Sequence, residues 1–598
     1  MRITESSVEE FAIELFEGLG YEYMAGPDIA PDGERAERKS FEDVLLLDRL
    51  RKAVDAINPM IPPEAREDAI KQIQRLNFPE LIANNEAFHR MLTEGIKVTY
   101  QKDGVGRGDL VWLVDFKHPE DNEFLVVNQF TVVQNNINKR PDIILFVNGI
   151  PLVVIELKNP ADEQATVHSA FRQIQTYKEM IPNLFYYNGF IVISDGLEAK
   201  AGSISYDYTH FMAWKSIDGK QDESYLISQL ETLIKGMLNR KTLLDIIRHF
   251  IVFDKSRRED KETGITSIQT VKKLAYYHQY FAVNKAVESA LRASGYFIGR
   301  EYNSQRAKES PENFGLNSVN TQPLGDRKGG VIWHTQGSGK SLTMFFYARK
   351  ALKSKELENP IILFVTDRNE LDDQLYKIFS HMPIAKQAES INDLQETIKT
   401  IAGGIIFTTI QKFGKRNNEE YPFLTERRNI IVIADEAHRS QYRELAMNLR
   451  KAIPNASFMG FTATPIEFED RDTYLVFGEP ISIYSMDKAR RHNVVVPIYY
   501  EARLAELHLM NEIIDEEFEE ITEDVIKDPE VKENIKRKFA KLEEIMLAEE
   551  RIKKVAKDIV EHFNKRRNEI EGKGLVVAIS RKVAVKLYNE IIKQPNAP

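Results

Sequence analysis

The sequence predicts an α/β fold divided into several domains, and three local patterns support that fold class. Residues 329–349 read as a buried strand, a glycine turn and a helix. Residues 430–434 form a continuous apolar run, which is typical of a parallel strand covered on both faces. Residues 143–158 contain two apolar stretches around Asn148-Gly149, which predicts a β-hairpin. A chain of 598 residues corresponds to roughly three to four domains.

A phosphate-binding loop is predicted between the strand and the helix of residues 329–349. Its glycines let the backbone curl, so that its N–H groups face a phosphate at the start of the helix. Lys340 would reach the β- and γ-phosphates of a nucleotide, and the Ser341 hydroxyl would bind Mg²⁺. His334 stands where such loops usually have their first glycine, and the match begins at the next residue. The predicted ATP-binding residues of the loop are Thr335, Gly337, Ser338, Gly339, Lys340 and Ser341.

An acidic site that would complete the nucleotide site is predicted where the apolar run 430–434 ends. Carboxylates at the carboxyl end of a parallel strand face the crevice in which ligands bind. Asp435 would hold Mg²⁺ directly or through water, and Glu436 would position and deprotonate the water that attacks the γ-phosphate. The alternative interpretation is two solvated acids at the end of a strand.

The nucleotide-site residues and several further segments resemble the motifs of superfamily 2 helicases and translocases, in the same order. Residues 365–369 and 408–413 are similar to strand-end DNA contacts of that family. The resemblance implies a RecA-like parallel sheet, ATP as the nucleotide, and an adenine contact by Gln279. Without that role, Gln279 is a polar residue in an aromatic helix. The residues that would couple hydrolysis to DNA are His438, Thr462, Ala463 and Thr464.

The hairpin of residues 142–158 predicts a metal-dependent phosphodiesterase site at its open end. Asp142 opens the first strand, and Glu156 and Lys158 share one face of the second. Two carboxylates suit a hard divalent ion, and a lysine can orient the attacking hydroxide and balance charge on the phosphate. The alternative is that these charges merely cap a hairpin, although charges next to an apolar strand are costly to hold.

The turn makes the nuclease hypothesis testable by strand register. A strict two-residue turn at Asn148-Gly149 would place Asp142 opposite Ile155 and turn Glu156 to the other face. A bulge or a three-residue loop would shift the register by one residue and bring Asp142 across from Glu156. The hypothesis therefore predicts such a shift.

Pro141-Asp142 and Glu156-Leu-Lys158 resemble the motif of PD-(D/E)xK nucleases, which implies that both acids hold Mg²⁺. Gln173 and Tyr177 are neighbours on a predicted helix and resemble the Gln-x-x-x-Tyr pair of type I restriction enzymes. Otherwise, Tyr177 belongs to an apolar stripe and Gln173 is solvated. In such nucleases a glutamate of the first helix often joins the metal shell, and Glu9 or Glu10 is the candidate here. The alternative is a favourable charge at the helix dipole.

Taken in order, these motifs resemble the R (motor and restriction) subunit of type I restriction-modification enzymes over essentially the whole chain. The resemblance implies ATP-dependent translocation on double-stranded DNA coupled to Mg²⁺-dependent cleavage of foreign DNA. It implies methyltransferase (M) and specificity (S) subunits as partners, with S-adenosylmethionine used only through the methyltransferase, in the cytoplasm of a bacterium or archaeon. A stand-alone helicase-nuclease and a non-cleaving, ATP-gated scaffold subunit are the alternatives.

Composition agrees with this class of protein. The chain has no cysteine, which excludes disulfides and thiolate zinc sites, and it has no apolar stretch of about 18 residues, so we expect no membrane contact. Its net charge of −10 confines DNA contacts to local basic pieces or to partner subunits. We expect a nuclease domain over 1–255, a first RecA-like domain over 256–480, and the start of a second over 481–598. This last part should contain an acidic helical stretch around 515–520 and the first strand of the second domain at 574–579. No arginine motif of a complete second domain is visible, so we expect an amino-terminal fragment of a longer protein, with a natural truncation as the alternative.

Overall fold

The computed structural model describes residues 5–102, 104–159, 166–224, 226–259, 266–295, 323–366, 376–379, 384–414, 421–435, 448–463, 476–501, 548–569 and 572–597. The chain forms two compact units, residues 1–496 and residues 497–598. Five predictions fall on residues outside these ranges: those for Glu436, His438 and Thr464, the DNA contact at residues 367–369, and the acidic helical stretch around 515–520.

Residues 5–249, here called the first region, fold around a mixed sheet. The helices are α1 (Glu5–Gly18), α2 (Leu47–Ile57), α3 (Pro63–Gln74), α4 (Leu81–Glu94), α5 (Val167–Met180), α6 (Pro182–Tyr186), α7 (Gln229–Met237) and α8 (Arg240–His249). The strands are β1 (Glu22–Ala25), β2 (Ile96–Lys102), β3 (Val105–Val111), β4 (Phe124–Asn128), β5 (Val132–Gln134), β6 (Ile137–Lys139), β7 (Ile143–Val147), β8 (Ile150–Leu157), β9 (Phe190–Ser194) and β10 (Ala199–Gly202).

The central sheet of the first region has six strands in the order β1-β4-β7-β8-β9-β10. The β1–β4 and β8–β9 pairs are parallel, and the other neighbours are antiparallel. Strands β7 and β8 are buried along their whole length, and α1 and α5 pack on the sheet. This burial explains why both strands lack the alternation of a half-exposed strand.

A two-stranded antiparallel hairpin follows the first region. Its strands are β11 (Ile251–Glu259) and β12 (Thr266–Leu274). The domain boundary expected at 255 falls inside β11, because the polar residues there pair with β12 instead of forming a linker.

Residues 277–496, here called the second region, contain a parallel sheet. The helices are α9 (Tyr277–Ser294), α10 (Lys340–Lys353), α11 (Ile391–Thr400) and α12 (Met486–Arg491). The strands are β13 (Lys328–His334), β14 (Ile361–Thr366), β15 (Ala385–Gln387), β16 (Gly404–Thr409), β17 (Ile430–Asp435), β18 (Ser457–Thr462) and β19 (Pro480–Tyr484). Their order is β15-β16-β14-β17-β18-β13-β19, and every neighbouring pair is parallel. The predicted α/β fold with a parallel sheet is confirmed.

The parallel sheet continues past the boundary expected at 480. Strand β19 begins at Pro480 and pairs with β13, the strand that leads into the phosphate loop. It is an edge strand in which Ile481 and Tyr484 are buried and the other residues are more exposed, and proline is tolerated at the first position of such a strand. Its short, mixed sequence was therefore a weak strand signal.

The six-stranded and seven-stranded sheets of the first unit share an apolar cluster, and a second cluster covers the other face of the seven-stranded sheet. A single cluster of buried side chains runs from Val8 in α1 to Ala489 in α12. Phe250, which follows α8, packs on Phe346 of α10 with ring centroids 5.7 Å apart. The first and second regions are thus packed together within the unit.

In the second unit, the structure describes α13 (Glu549–Arg567) and α14 (Arg581–Ile591), which pack through Ile552, Ala556 and Leu587. Residues 574–579 were expected to form a strand, but none is present there, and Leu575 and Val577 are 90% and 83% exposed. A strand needs neighbours for its backbone groups, and the described residues of this unit provide none. Among the described helices, none has the length and apolar character needed to span a membrane.

Candidate active sites

The β7–β8 hairpin carries the predicted register shift. Ile143 pairs with Ile155, and the register changes by one residue between there and the turn. Continued outward, this register brings Asp142 across from Glu156. The prediction of a bulge is confirmed, and both acids lie at the open end of the hairpin.

The turn of this hairpin requires its Asn-Gly sequence. Asn148 and Gly149 have φ values of +51° and +78°, in the left-handed region that these two residues tolerate best. A Cβ atom on Gly149 would lie 2.4 Å from the carbonyl oxygen of Leu46. The Asn148 side chain accepts a hydrogen bond from the backbone N–H of Glu123 at 2.8 Å. Close contacts with the backbone of Leu46 and of Glu123 therefore fix the turn.

Asp142, Glu156 and Lys158 lie together in a largely buried site. The carboxylate of Asp142 accepts a hydrogen bond from the backbone N–H of Leu157 at 2.7 Å. Lys158 donates to Oε1 of Glu156 at 2.6 Å, while Oε2 of Glu156 is buried and has no hydrogen-bond partner. A buried acceptor without a donor is costly. Two adjacent carboxylates, one with a free oxygen, suit a divalent cation with oxygen ligands.

The electrostatics of the site also favour a cation. Burial raises the pKa of Glu156 to about 8, and the neighbouring Asp142 contributes in the same direction. Burial likewise raises the pKa of Asp142 to about 6, although the hydrogen bond from Leu157 opposes this. For Lys158, burial lowers the pKa, but the charges of the two acids outweigh burial and raise it overall. A divalent cation would stabilise both carboxylates in their ionised form.

Gln173 and Tyr177 lie on α5, which packs on β8. The helix starts at an N-cap threonine, Thr166, whose side chain accepts from the backbone N–H of Ser169. Tyr177 is buried and donates a hydrogen bond to the carbonyl of Arg140 at 3.3 Å. Burial raises the pKa of Tyr177, the negative charge of Glu156 adds to this, and Gln173 opposes it. The pair is therefore beside the acidic site, as its position in the sequence predicts.

Two glutamates of α1, Glu9 and Glu5, lie near the acidic site. Glu9 is buried, and its carboxylate accepts from the side chains of Asn128 at 2.6 Å and Gln129 at 2.7 Å. Glu10 is exposed. Glu5, which the sequence analysis missed, lies 3.5 Å from the Lys158 ammonium. Its four-residue spacing from Glu9 was the available signal, because residues so spaced share a helix face.

The predicted phosphate loop joins β13 to α10, as its chemistry requires. Gly337 and Gly339 have φ values of +85° and +82°, and Gly339 is the N-cap of α10. The Ser338 hydroxyl donates to the carbonyl of Thr335 at 2.6 Å. Lys340 donates to the carbonyl of His334 at 3.3 Å, and Ser341 is exposed. The loop therefore presents backbone N–H groups at the start of a helix, where a phosphate binds.

Gln279 lies on α9 and is buried against the phosphate loop. Its side-chain oxygen accepts from the backbone N–H of Tyr276 at 2.9 Å, and its nitrogen donates to the carbonyl of Gly339 at 3.0 Å. Gln279 thus caps its own helix and contacts the loop, and the adenine contact stays a prediction.

The remaining nucleotide-site residues lie at the carboxyl ends of neighbouring strands. Strand β18 separates β17 from β13, so the strand ending at Asp435 lies two positions from the strand that enters the loop. Asp435 pairs with Phe461, and Thr462 pairs with Trp333 of β13. Ala463 follows Thr462 directly. In a parallel sheet, this edge is where ligands bind.

Two family models match the chain and define its class. "Type I restriction enzyme R protein N terminus" matches residues 2–210, and "SWI2/SNF2 ATPase" matches residues 278–531. The predicted order of a restriction-type region and a superfamily 2 motor region is confirmed.

Individual relatives identify the family. The chain is 46% identical to the type I restriction enzyme MjaIXP endonuclease subunit of Methanocaldococcus jannaschii, over 99% of this chain and 55% of that protein. It is 39% identical to the HindI endonuclease subunit of Haemophilus influenzae, over 99% of this chain and 54% of that one. The chain belongs to the family of type I restriction enzyme endonuclease (R) subunits, and it spans about half the length of these curated relatives.

Among solved structures, a fragment of an HsdR subunit of a type I restriction enzyme from Vibrio vulnificus YJ016 matches with 17% identity and a TM-score of 0.29. The match covers 78% of this chain and 69% of that one.

Proposed function

We propose that this chain carries the cutting and ATP-driven parts of a type I restriction enzyme. In this proposal it hydrolyses ATP to move along double-stranded DNA and cleaves foreign DNA with Mg²⁺. The main support is the convergence of Asp142, Glu156 and Lys158 at one end of a buried hairpin, because charges in an apolar core are costly without a ligand. The relatives named above are endonuclease subunits of such enzymes.

In the nuclease site, Asp142 and Glu156 would hold Mg²⁺. When bound, Mg²⁺ would lower the pKa of a water molecule and offset charge on the scissile phosphate. Lys158, which donates to Glu156, would orient the attacking hydroxide and stabilise the phosphate charge. Gln173 and Tyr177 would support Glu156 from α5. Of the two glutamates predicted to complete the metal shell, Glu9 has the supporting position, because it is buried and held by two amides.

In the nucleotide site, Lys340 would bind the β- and γ-phosphates, while Ser341 and Asp435 would hold the Mg²⁺ of ATP. Glu436 would be the base that activates water, and Gln279 would contact adenine. The backbone of Thr335, Gly337, Ser338 and Gly339 would surround the phosphates. Thr462, Ala463 and Thr464, with His438, would couple hydrolysis to movement on DNA.

Partners are part of the proposal. M and S subunits would supply DNA recognition and methylation, with S-adenosylmethionine bound only by the methyltransferase. A stand-alone helicase-nuclease would need neither subunit. Copurification of the complete R subunit with M and S subunits would support the first arrangement, and a failure to associate would support the second.

Cleavage tests the function directly. In the assembled enzyme with ATP, Mg²⁺ and unmethylated DNA, the parent should linearise DNA, and Glu156→Gln should not. Glu10→Gln is the matched control, because Glu10 is an exposed carboxylate on α1. A parent complex that binds DNA and ATP but never cuts would overturn the nuclease assignment in favour of a scaffold role.

A further inference from the structure

A chain of buried and partly buried contacts connects the first region to the phosphate loop. Its members, here called the junction network, are Asp222, Tyr277, His278, Tyr484 and His492. Asp222 belongs to the first region, which also carries the acidic site, and lies between β10 and α7. The other four lie on α9, at the end of β19, and just after α12.

The network starts at the Asp222 carboxylate. His492 lies 3.0 Å from it through Nε2, and Lys488 of α12 lies 2.8 Å from it through Nζ. Burial raises the pKa of Asp222, but the hydrogen bonds from His492 and Lys488 outweigh burial and lower it to about 2. An ionised carboxylate only accepts hydrogen bonds, so Nε2 of His492 carries the proton.

The other ring nitrogen of His492 faces two tyrosines. Nδ1 lies 3.1 Å from the hydroxyl of Tyr484 and 3.1 Å from that of Tyr277. Tyr277 donates to Asp222 at 3.3 Å, and the hydroxyl of Tyr484 and Nδ1 of His492 hydrogen-bond to each other. The hydroxyl of Tyr484 is thereby fixed by a histidine that Asp222 orients.

Tyr484 carries the connection to the nucleotide site. Its ring stacks on His278, with centroids 3.9 Å apart and planes 6° apart. His278 is buried, and its Nε2 lies 3.0 Å from the carbonyl oxygen of Ser338 in the phosphate loop. A carbonyl only accepts, so His278 donates and holds the loop by its backbone.

The same segment touches the loop a second time. A Cβ on Gly337 would lie 3.2 Å from Cγ1 of Val495, three residues after His492. On the other side, the turn before Asp222 packs on α9, where a Cβ on Gly219 would lie 2.4 Å from the ring of Phe281. The loop, α9 and residues 214–222 therefore fit together closely enough that a shift in one displaces the others.

We propose that Asp222 is a positioning residue for the phosphate loop, acting through His492, Tyr484 and His278. ATP binding and the packing of residues 214–222 are then coupled, and by linkage the coupling acts in both directions. The inference rests on the proposed binding of ATP by this loop. It deepens that function by giving the region with the acidic site a direct influence on nucleotide affinity.

The test measures ATP affinity of the chain by titration with a fluorescent ATP analogue and Mg²⁺. Asp222→Ala should raise the dissociation constant by about 5- to 30-fold, within the usual range of coupling between sites. Asp222→Asn should raise it less, because an amide oxygen still accepts from His492. Asp487→Ala is the matched control, since Asp487 is an exposed acid of α12 that pairs with Arg491. Equal affinity of Asp222→Ala and the parent would overturn the proposal.

Hydrogen exchange supplies a readout that a purely structural role would not change. ATP should slow exchange of residues 214–222 in the parent but not in Asp222→Ala, with residues 124–128 as an internal reference. Tyr484→Phe, which removes one hydroxyl and keeps the stacked ring, should show the same loss and decides the matter if Asp222→Ala does not fold. ATP protection that persists in Tyr484→Phe overturns the proposal. A parent that binds no ATP overturns the proposed function as well, whereas unchanged binding in the variants overturns this inference alone.

Discussion

The acidic site and the proposed nucleotide site differ in the groups that each would offer to a ligand. The acidic site places Asp142 and Glu156 at the ends of fully buried strands, where burial raises the pKa of both. The nucleotide site uses backbone N–H groups of a loop whose glycines have positive φ. The first arrangement fixes charged side chains rigidly, but without a cation it is electrostatically unfavourable. The second needs no buried charge of its own, and it depends on backbone shape instead.

Removing one essential group from each site gives the largest expected effect. Glu156→Ala should reduce cleavage by the assembled enzyme by at least about 1,000-fold and leave ATP turnover near the parent rate, because distant sites are usually independent. Lys340→Ala should abolish ATP turnover, and it should also stop cleavage if cutting depends on translocation. Paired assays of ATP hydrolysis and DNA cleavage measure both. A Lys340→Ala enzyme that cleaves at the parent rate would show that the nuclease does not need the motor.

Substitution of Glu9, the second glutamate of the acidic site, should reduce cleavage less than substitution of Glu156. Glu9→Gln keeps the shape of a side chain held by Asn128 and Gln129 but removes its charge. We expect cleavage to fall by about 10- to 100-fold, with a higher Mg²⁺ requirement, as for groups that support a metal site. Glu10→Gln should behave like the parent in the same magnesium titration. Equal effects of the two variants on cleavage would show that Glu9 does not belong to the metal site.

Glycine substitutions in the two sites should affect different properties, namely stability in the hairpin and ATP binding in the loop. Gly149→Ala should lower the free energy of unfolding by about 1–3 kcal/mol, because Gly149 has a positive φ and a Cβ there meets the Leu46 carbonyl. Gly337→Ala should weaken ATP binding with a smaller effect on stability, since the loop is partly exposed. Denaturant unfolding and ATP titration of both variants separate the two outcomes. Gly106→Ala, at a position with open space around it, is the control.

The smallest expected effect is a pH dependence of the acidic site. Without metal, Glu156 has a folded pKa of about 8, above its ordinary value of 4.5. The folded state then binds the proton more tightly, so this group's stabilisation is complete below pH 4.5 and is lost as pH rises through 8.

Magnesium offsets that loss, because it favours the ionised carboxylates. The rise in melting temperature on adding Mg²⁺ without nucleotide should therefore be larger at pH 8.5 than at pH 6. Glu156→Gln should remove most of the difference. A magnesium effect that is the same at both pH values would contradict the assignment of the cation to these acids.

Short-range sequence patterns predicted the features that depend on local backbone conformation. The Asn148-Gly149 turn, the strand ending at Asp435 and the loop before Lys340 each follow from short-range backbone preferences. The register of the β7–β8 hairpin followed from requiring its charges to meet on one face.

Long-range contacts were not predictable in this way. The contact between Asp222 and His492 joins residues 270 positions apart, and nothing near either one indicates the other. Strand β19 is defined by its pairing with β13, and residues 574–579 show the reverse case, because an apolar run without a neighbouring strand forms none in the described part of the unit. Both wrong predictions concern segments whose secondary structure depends on the strand that pairs with them.

The apolar cluster that the first and second regions share makes it difficult to separate the two candidate sites. Phe250 packs on Phe346, Asp245 of α8 pairs with Lys350 of α10 at 2.6 Å, and Arg349 donates to the carbonyl of Ile251. A chain cut between α8 and α10 would expose these apolar faces and leave an unpaired charge on each side. The first and second regions therefore do not behave as exchangeable modules, and heating should melt residues 5–496 in a single cooperative transition.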